Sequence, residues 1–189
     1  MTVAPNTAVA WPGRLLTRAI VAALLGVAAM LVAGHAAYRT IEIQLAAALI
    51  DLVTSSGVYV VPHRQTVYFG LGTEHAIGLK ITPECTSAFL VVPLLVVAAA
   101  MLGLRPRITG RVLASLAVAA AVLVAVNQLR LLSLVWLIAA FGRERGYYLG
   151  HTLFGSMVSV FGGAVALVLF VWLATRPPKS TRAPKGARG

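Results

Sequence analysis

A single thiol, Cys85, stands in the run Thr82-Pro83-Glu84-Cys85-Thr86-Ser87, just ahead of a long apolar stretch. One cysteine excludes an intrachain disulfide and a cysteine-built metal cluster. What remains is an inert small hydrophobe or a reactive nucleophile. Thr82 suits an N-cap and Pro83 the first helical position, so the pattern predicts Cys85 in the first turn of a helix. Free N–H groups and the positive end of the helix dipole favour a thiolate there, while the negative charge of Glu84 opposes it. The competing reading is a buried, unreactive cysteine at a helix end.

Two further residues have side chains that a thiol nucleophile can use. Arg130, in Asn127-Gln128-Leu129-Arg130, lies between apolar runs on both sides. An arginine at membrane depth is costly and usually faces protein or water. It could hold a thiolate or a developing oxyanion by charge-assisted hydrogen bonds, or it could simply snorkel to the outer interface. His151, in Gly150-His151-Thr152-Leu153-Phe154-Gly155, is of the type that carries protons for cysteine nucleophiles. Alternatively, it is an interfacial histidine wetted at one end. His35, His63 and His75 show no metal-ligand spacing, and the reading includes no metal and no cofactor.

The elements that must position these residues are helices in a bilayer. The 189 residues are 59% hydrophobic and only 11% charged, with a mean hydropathy of +0.89. That leaves too little polar surface to cover a soluble domain of this size. Four blocks are apolar enough to span: residues 15–34, 88–104, 112–129 and 153–175. The first follows Arg14 and Arg18, lacks a clean small-x-small cleavage site and reads as an uncleaved helix. Ten of the sixteen basic residues fall in the N-terminal tail, the loop between the second and third blocks, and the C-terminal tail, with none of the five acidic ones. The other side carries a net charge of only +1. Basic residues stay cytoplasmic, so both termini are expected inside. The net charge of +11 therefore sorts by loop and forms no basic face for nucleic acid.

The expected fold is an all-α integral membrane protein: a four-helix transmembrane core within a single membrane domain, residues 1–175. A small extracellular cap is built from the outer loop, 35–87. Ile41 to Val53 is too short to span and reads as an interfacial helix. Tyr59–Val61, Thr66–Phe69 and Ile77–Ile81 read as short strands. Residues 131–141 could be a re-entrant helix, an interfacial helix or an outward extension of the third span. Residues 176–189, basic and proline-containing, read as a disordered cytoplasmic tail close to anionic lipid headgroups. Arg143-Glu144-Arg145 reads as a solvated outer turn that could meet lipid headgroups or an acidic substrate. Tyr147, Tyr148 and Trp136 read as an outer aromatic belt. This topology, drawn from hydropathy and charge alone, brings Cys85, Arg130 and His151 to one membrane level, where they could converge on an acyl-transfer site.

Pro-Glu-Cys-Thr-Ser ahead of a span, Asn-x-x-Arg at the outer end of the next and His-x-x-x-Gly opening the last resemble the exosortase/archaeosortase family, over roughly residues 59 to 170. The polar Thr86 after the cysteine fits that pattern. Ser87 stands where a glycine is common, and the chain is shorter than the larger members. The resemblance implies Cys85 as nucleophile, Arg130 as its electrostatic partner and His151 as general base and acid. It gives Asn127 and Gly155 structural roles. It further implies secreted protein substrates bearing a C-terminal sorting signal of a short motif, a membrane helix and a basic cluster. Cleavage would pass through a thioester. The rival function is a non-catalytic small membrane protein serving as an export or assembly subunit. A transporter or channel is disfavoured because the middles of the spans are almost wholly Ala, Val, Leu and Gly.

Overall fold

A computed structural model describes residues 11–53, 57–71 and 76–176. The expected tail beyond Arg176, together with Glu74, His75 and the side chain of Glu84, lies outside the described residues. The chain is mostly helical. Its order is α1 (Trp11–Ala33), α2 (His35–Val53), β1 (Gly57–Val61), β2 (Thr66–Leu71), β3 (Ile77–Lys80), α3 (Ala88–Leu104), α4 (Thr109–Phe141), α5 (Arg143–Tyr147), a wide π-helical turn (Tyr148–Phe154) and α6 (Gly155–Thr175). Three helical stretches are long and apolar enough to cross a membrane: Arg14–Ala33, Pro106–Phe141 and Arg143–Thr175. The apolar α3 is shorter, at 17 residues.

Two clusters of buried side chains divide the molecule lengthwise. In one half, called inner only because it holds the start of α1 and the end of α6, α1, α3, the first part of α4 and α6 pack through Ala28, Leu94, Ala98, Leu102, Leu116, Ala119, Leu123, Ala166 and Phe170. Large apolar side chains such as Met30, Val160, Phe161 and Val168 face outward from the same helices, as they do where lipid replaces water. Arg14, Arg18, Arg105, Arg107, Arg111 and Arg176 lie at the far end of this half. Arg14 and Arg18 share a groove with Gly103 and Pro106. Arg111 donates a hydrogen bond to the Arg176 carbonyl at 2.8 Å, and the Arg176 guanidinium lies 3.3 Å above the Trp172 ring.

In the outer half, Ile43, Ala46, Ala47 and Ile50 of α2 meet Val67, Phe69, Leu79 and Ile81 of the strand region and Leu131, Leu134, Val135 and Ile138 of α4. The strands form an antiparallel sheet in the order β1-β2-β3. Val67 pairs with Leu79, and both point inward as the period of two requires.

Among the alternatives left open for residues 131–141, the structure has the extension of the third apolar helix, since α4 runs unbroken for 33 residues. At 1.5 Å per residue that is about 50 Å, well beyond a hydrocarbon core of about 30 Å. Three other expectations need correction. The fourth helical run starts at Arg143, ten residues before the expected Leu153. Arg143-Glu144-Arg145 is thus the first turn of a helix, and Gly142 (φ +80°) makes the reversal from α4. The helix beginning at Ile41 in the sequence reading starts instead at His35 and covers a protein surface. Its inner face buries Arg39, Glu42, Ile43, Ala46, Ala47 and Ile50 against the sheet, the start of α3 and α4. Finally, Cys85 does not lie in the first turn of α3. It closes a separate 3₁₀ turn, Pro83–Cys85, and Thr86 is extended (φ −101°, ψ 143°) before α3 begins at Ala88.

Candidate active site

The start of α3, the second half of α4 and the π-helical turn meet at Cys85. The thiol is 6% exposed. Its sulfur accepts a hydrogen bond from the Thr82 hydroxyl at 3.5 Å. It lies 3.8 Å from Nη2 of Arg130 and 3.9 Å from Nδ1 of His151. The three residues singled out in the sequence therefore surround one sulfur atom.

Each partner is held in place by its own element. Arg130 sits past the middle of α4, partly buried, and its Nη1 donates to the Ser159 hydroxyl at 3.0 Å. Ser159 lies four residues beyond Gly155 and eight beyond His151, a spacing that puts all three on one helix face. A Cβ at Gly155 would come within 2.7 Å of Arg130 Nε and 2.9 Å of the Gly150 carbonyl oxygen, so a side chain there would push on both the guanidinium and the π-helical turn. His151 occupies the π-helical turn, a feature frequently found at functional sites in other proteins. Its ring stacks on Tyr147, with centroids 5.2 Å apart and planes within 12°. Tyr147, assigned to an aromatic belt on sequence grounds, thus fixes the plane of the histidine ring.

Asn127 and Thr86 do not touch the sulfur. Both turn to Glu42, a residue that sequence reasoning treated only as part of an interfacial helix. The Glu42 carboxylate is 3% exposed. Its Oε1 accepts from the Ser87 N–H (3.1 Å), the Ser87 hydroxyl (2.7 Å) and the Asn127 amide (2.9 Å). Its Oε2 accepts from the Thr86 hydroxyl. Burying a carboxylate costs several kcal/mol unless hydrogen bonds replace its water, and four donors do so here. The Thr86 oxygen in turn accepts the Ala88 N–H at 3.3 Å. The first N–H groups of α3 are thus satisfied by Glu42 and Thr86 rather than by Thr82, which explains why α3 starts at Ala88. Because the Ser87 hydroxyl donates to Glu42, the Tyr38 hydroxyl is the donor in their 2.8 Å bond. Burial pushes the Tyr38 phenol above its ordinary range and the Glu42 charge adds to this, against the lowering effect of the Ser87 bond, so it stays neutral.

The signal for Glu42 was present in the sequence. Arg39, Glu42, Ile43, Ala46, Ala47 and Ile50 recur at helical spacing, which puts two charged residues on an apolar stripe. Among the described residues, no group of three or more His, Cys, Asp or Glu side chains comes together as a metal site.

Chemically, the cluster brings together a thiol, an imidazole and a guanidinium. That is the set needed to attack a carbonyl carbon and stabilise the oxyanion that forms. Comparison of the chain with protein-family models, with curated proteins and with solved structures finds no match.

Proposed function

We propose that the chain is a membrane-embedded cysteine peptidase or transpeptidase of the exosortase/archaeosortase type. It cleaves a C-terminal sorting signal of secreted proteins at the outer face of a cell membrane. One observation carries the reading: the only thiol meets a guanidinium 45 residues away in the chain and an imidazole 66 residues away. A structural cysteine needs neither partner.

In this reading α1, α3, α4 and α6 all cross the bilayer. The 17 residues of α3 sit at the short end of the spanning range of roughly 17 to 25. The arginine-rich end faces the cytoplasm with both termini, and the site opens on the opposite side.

The positions of the groups support the following reaction. The Cys85 sulfur attacks the scissile carbonyl carbon, forming a C–S bond, while His151 takes the thiol proton. Charge gathers on the carbonyl oxygen, where Arg130 stabilises it. The tetrahedral species collapses, the C–N bond breaks and His151 returns the proton to the departing amine. A thioester on Cys85 remains. Water, or an amine or hydroxyl acceptor, then attacks the thioester and gives its proton to His151; the C–S bond breaks, and His151 passes that proton to the sulfur to restore the thiol.

A peptide substrate also has a place to lie. A groove of about 550 Å³ runs between β3 and α5, lined by Gly78, Lys80, Thr82, Arg143, Glu144 and Tyr147. Its walls reach the reacting groups at two points, because Thr82 bonds the Cys85 sulfur and Tyr147 stacks on His151.

Mass spectrometry of protein C-termini tests the proposal. Cells carrying the wild-type chain should contain new C-termini on secreted proteins, and these should vanish with Cys85→Ala and with Arg130→Ala while both variants remain in the membrane. Identical C-termini in wild-type and Cys85→Ala cells would sink the peptidase reading and favour a non-catalytic export or assembly subunit.

A further inference from the structure

Glu42 takes no part in the chemistry just described, yet its buried carboxylate accepts four hydrogen bonds close to the thiol. Thr86 and Ser87, the two residues after Cys85, both bond to its carboxylate. Upstream, Nη1 of the buried Arg39 donates to the Ile81 carbonyl at 3.2 Å. Arg39 and Glu42 are three residues apart on one face of α2. That face therefore grips the chain four residues before Cys85 and immediately after it. The same carboxylate accepts the Asn127 amide, and Asn127 lies one helical turn before Arg130.

We infer that α2 is a clamp for the nucleophile, with Glu42 as a positioning residue that ties the Cys85 loop to the helix bearing Arg130. The inference rests on the thiol reading above. Thr86 is extended between two helical turns and has no sheet partner, so its side-chain bond and that of Ser87 replace secondary structure in fixing the loop. A carboxylate suits this task because it only accepts hydrogen bonds and can take four donors without conflict. Glutamine keeps an oxygen for Ser87 and Asn127 and can turn its amide toward the Thr86 oxygen. Alanine keeps nothing. A released loop carries the sulfur away from both Arg130 and His151, and shifts of about 1 Å are enough to disable such an arrangement.

The test needs no substrate, because Cys85 is the only thiol. The second-order rate of alkylation by iodoacetamide is measured on the purified full chain in detergent micelles, with helix content checked by circular dichroism. Glu42→Ala should fall about tenfold, to the rate of Arg130→Ala, and Glu42→Gln should stay within about threefold of wild type. The double variant Glu42→Ala/Arg130→Ala should be no slower than Arg130→Ala alone, since both substitutions break the same sulfur–guanidinium contact. Thr86→Val, nearly isosteric and short of one donor, should fall several-fold, and it serves where Glu42→Ala does not fold. A Glu42→Ala or Thr86→Val rate at or above wild type would overturn the clamp, as would a double variant slower than Arg130→Ala by the full Glu42→Ala factor. Equal rates in wild type and Arg130→Ala would overturn the thiol reading and the clamp with it.

Discussion

The inner and outer halves of the molecule are held together by different means. Inside, the helices meet through Ala, Val, Leu and Phe side chains. The only buried polar side chain of that region among the described residues, Ser115, bonds back to its own helix at the Arg111 carbonyl. Outside, Arg39, Glu42, Thr66, Thr86, Ser87, Asn127 and Gln128 are all buried. Apolar packing tolerates small changes of shape, because neighbours can repack. A buried polar network does not, because each lost partner leaves a group unpaired in a poor solvent. The inner half brings α3, α4 and α6 to the right places, and the outer half sets the sulfur to within ångströms of its partners.

Substitutions in the two halves should therefore part company. Cys85→Ala removes the nucleophile and should abolish the appearance of new C-termini, with membrane insertion unchanged. Gly155→Ala drives a methyl into the Arg130 guanidinium. It should lower kcat about 100-fold, the order expected for a misplacement near 1 Å, measured on a peptide spanning one of those C-termini. A Gly155→Ala enzyme of normal kcat would mean that the guanidinium does not need its present position. Arg143→Glu, on the wall of the groove away from the sulfur, should raise KM about threefold with kcat unchanged, as fits an exposed charge. The smallest effect on activity should come from the inner half. Leu123→Ala is expected to lower the unfolding midpoint, since emptying a buried leucine site costs about 2–5 kcal/mol, while kcat of the folded protein stays at the wild-type value. If Leu123→Ala lowered kcat as much as Gly155→Ala, the division between the halves would fail.

The helix positions were legible in the sequence wherever a helix is apolar along its whole length. Residues 88–104 were read with the bounds that α3 has, because no charge interrupts the run. The strands were legible because Val, Tyr and Thr alternate between turn residues. Outside the long apolar runs that rule lapses. Arg143-Glu144-Arg145 looked like a turn because it is charged, yet it begins a helix whose far side packs on α4 through the small Gly146 and Gly150. The Thr82-Pro83 pair looked like a helix start, and the nearby turn does form. A competing cap from Glu42, more than forty residues away in the chain, sets the real start of α3. A tertiary hydrogen bond of that kind leaves no local trace. The meeting of Cys85, Arg130 and His151 was legible for the opposite reason, since all three flank the long apolar runs, whose order along the chain suggested that they could converge.

The central claim, an activated thiol at the outer membrane face, is tested most directly by labelling intact cells with a membrane-impermeant maleimide. Cys85→Ala serves as the blank and Arg130→Ala as the comparison. The account predicts that wild type is labelled without permeabilisation, that the blank is not, and that the arginine variant is labelled more slowly. Labelling of wild type only after permeabilisation, or at the same rate with and without Arg130, would contradict it.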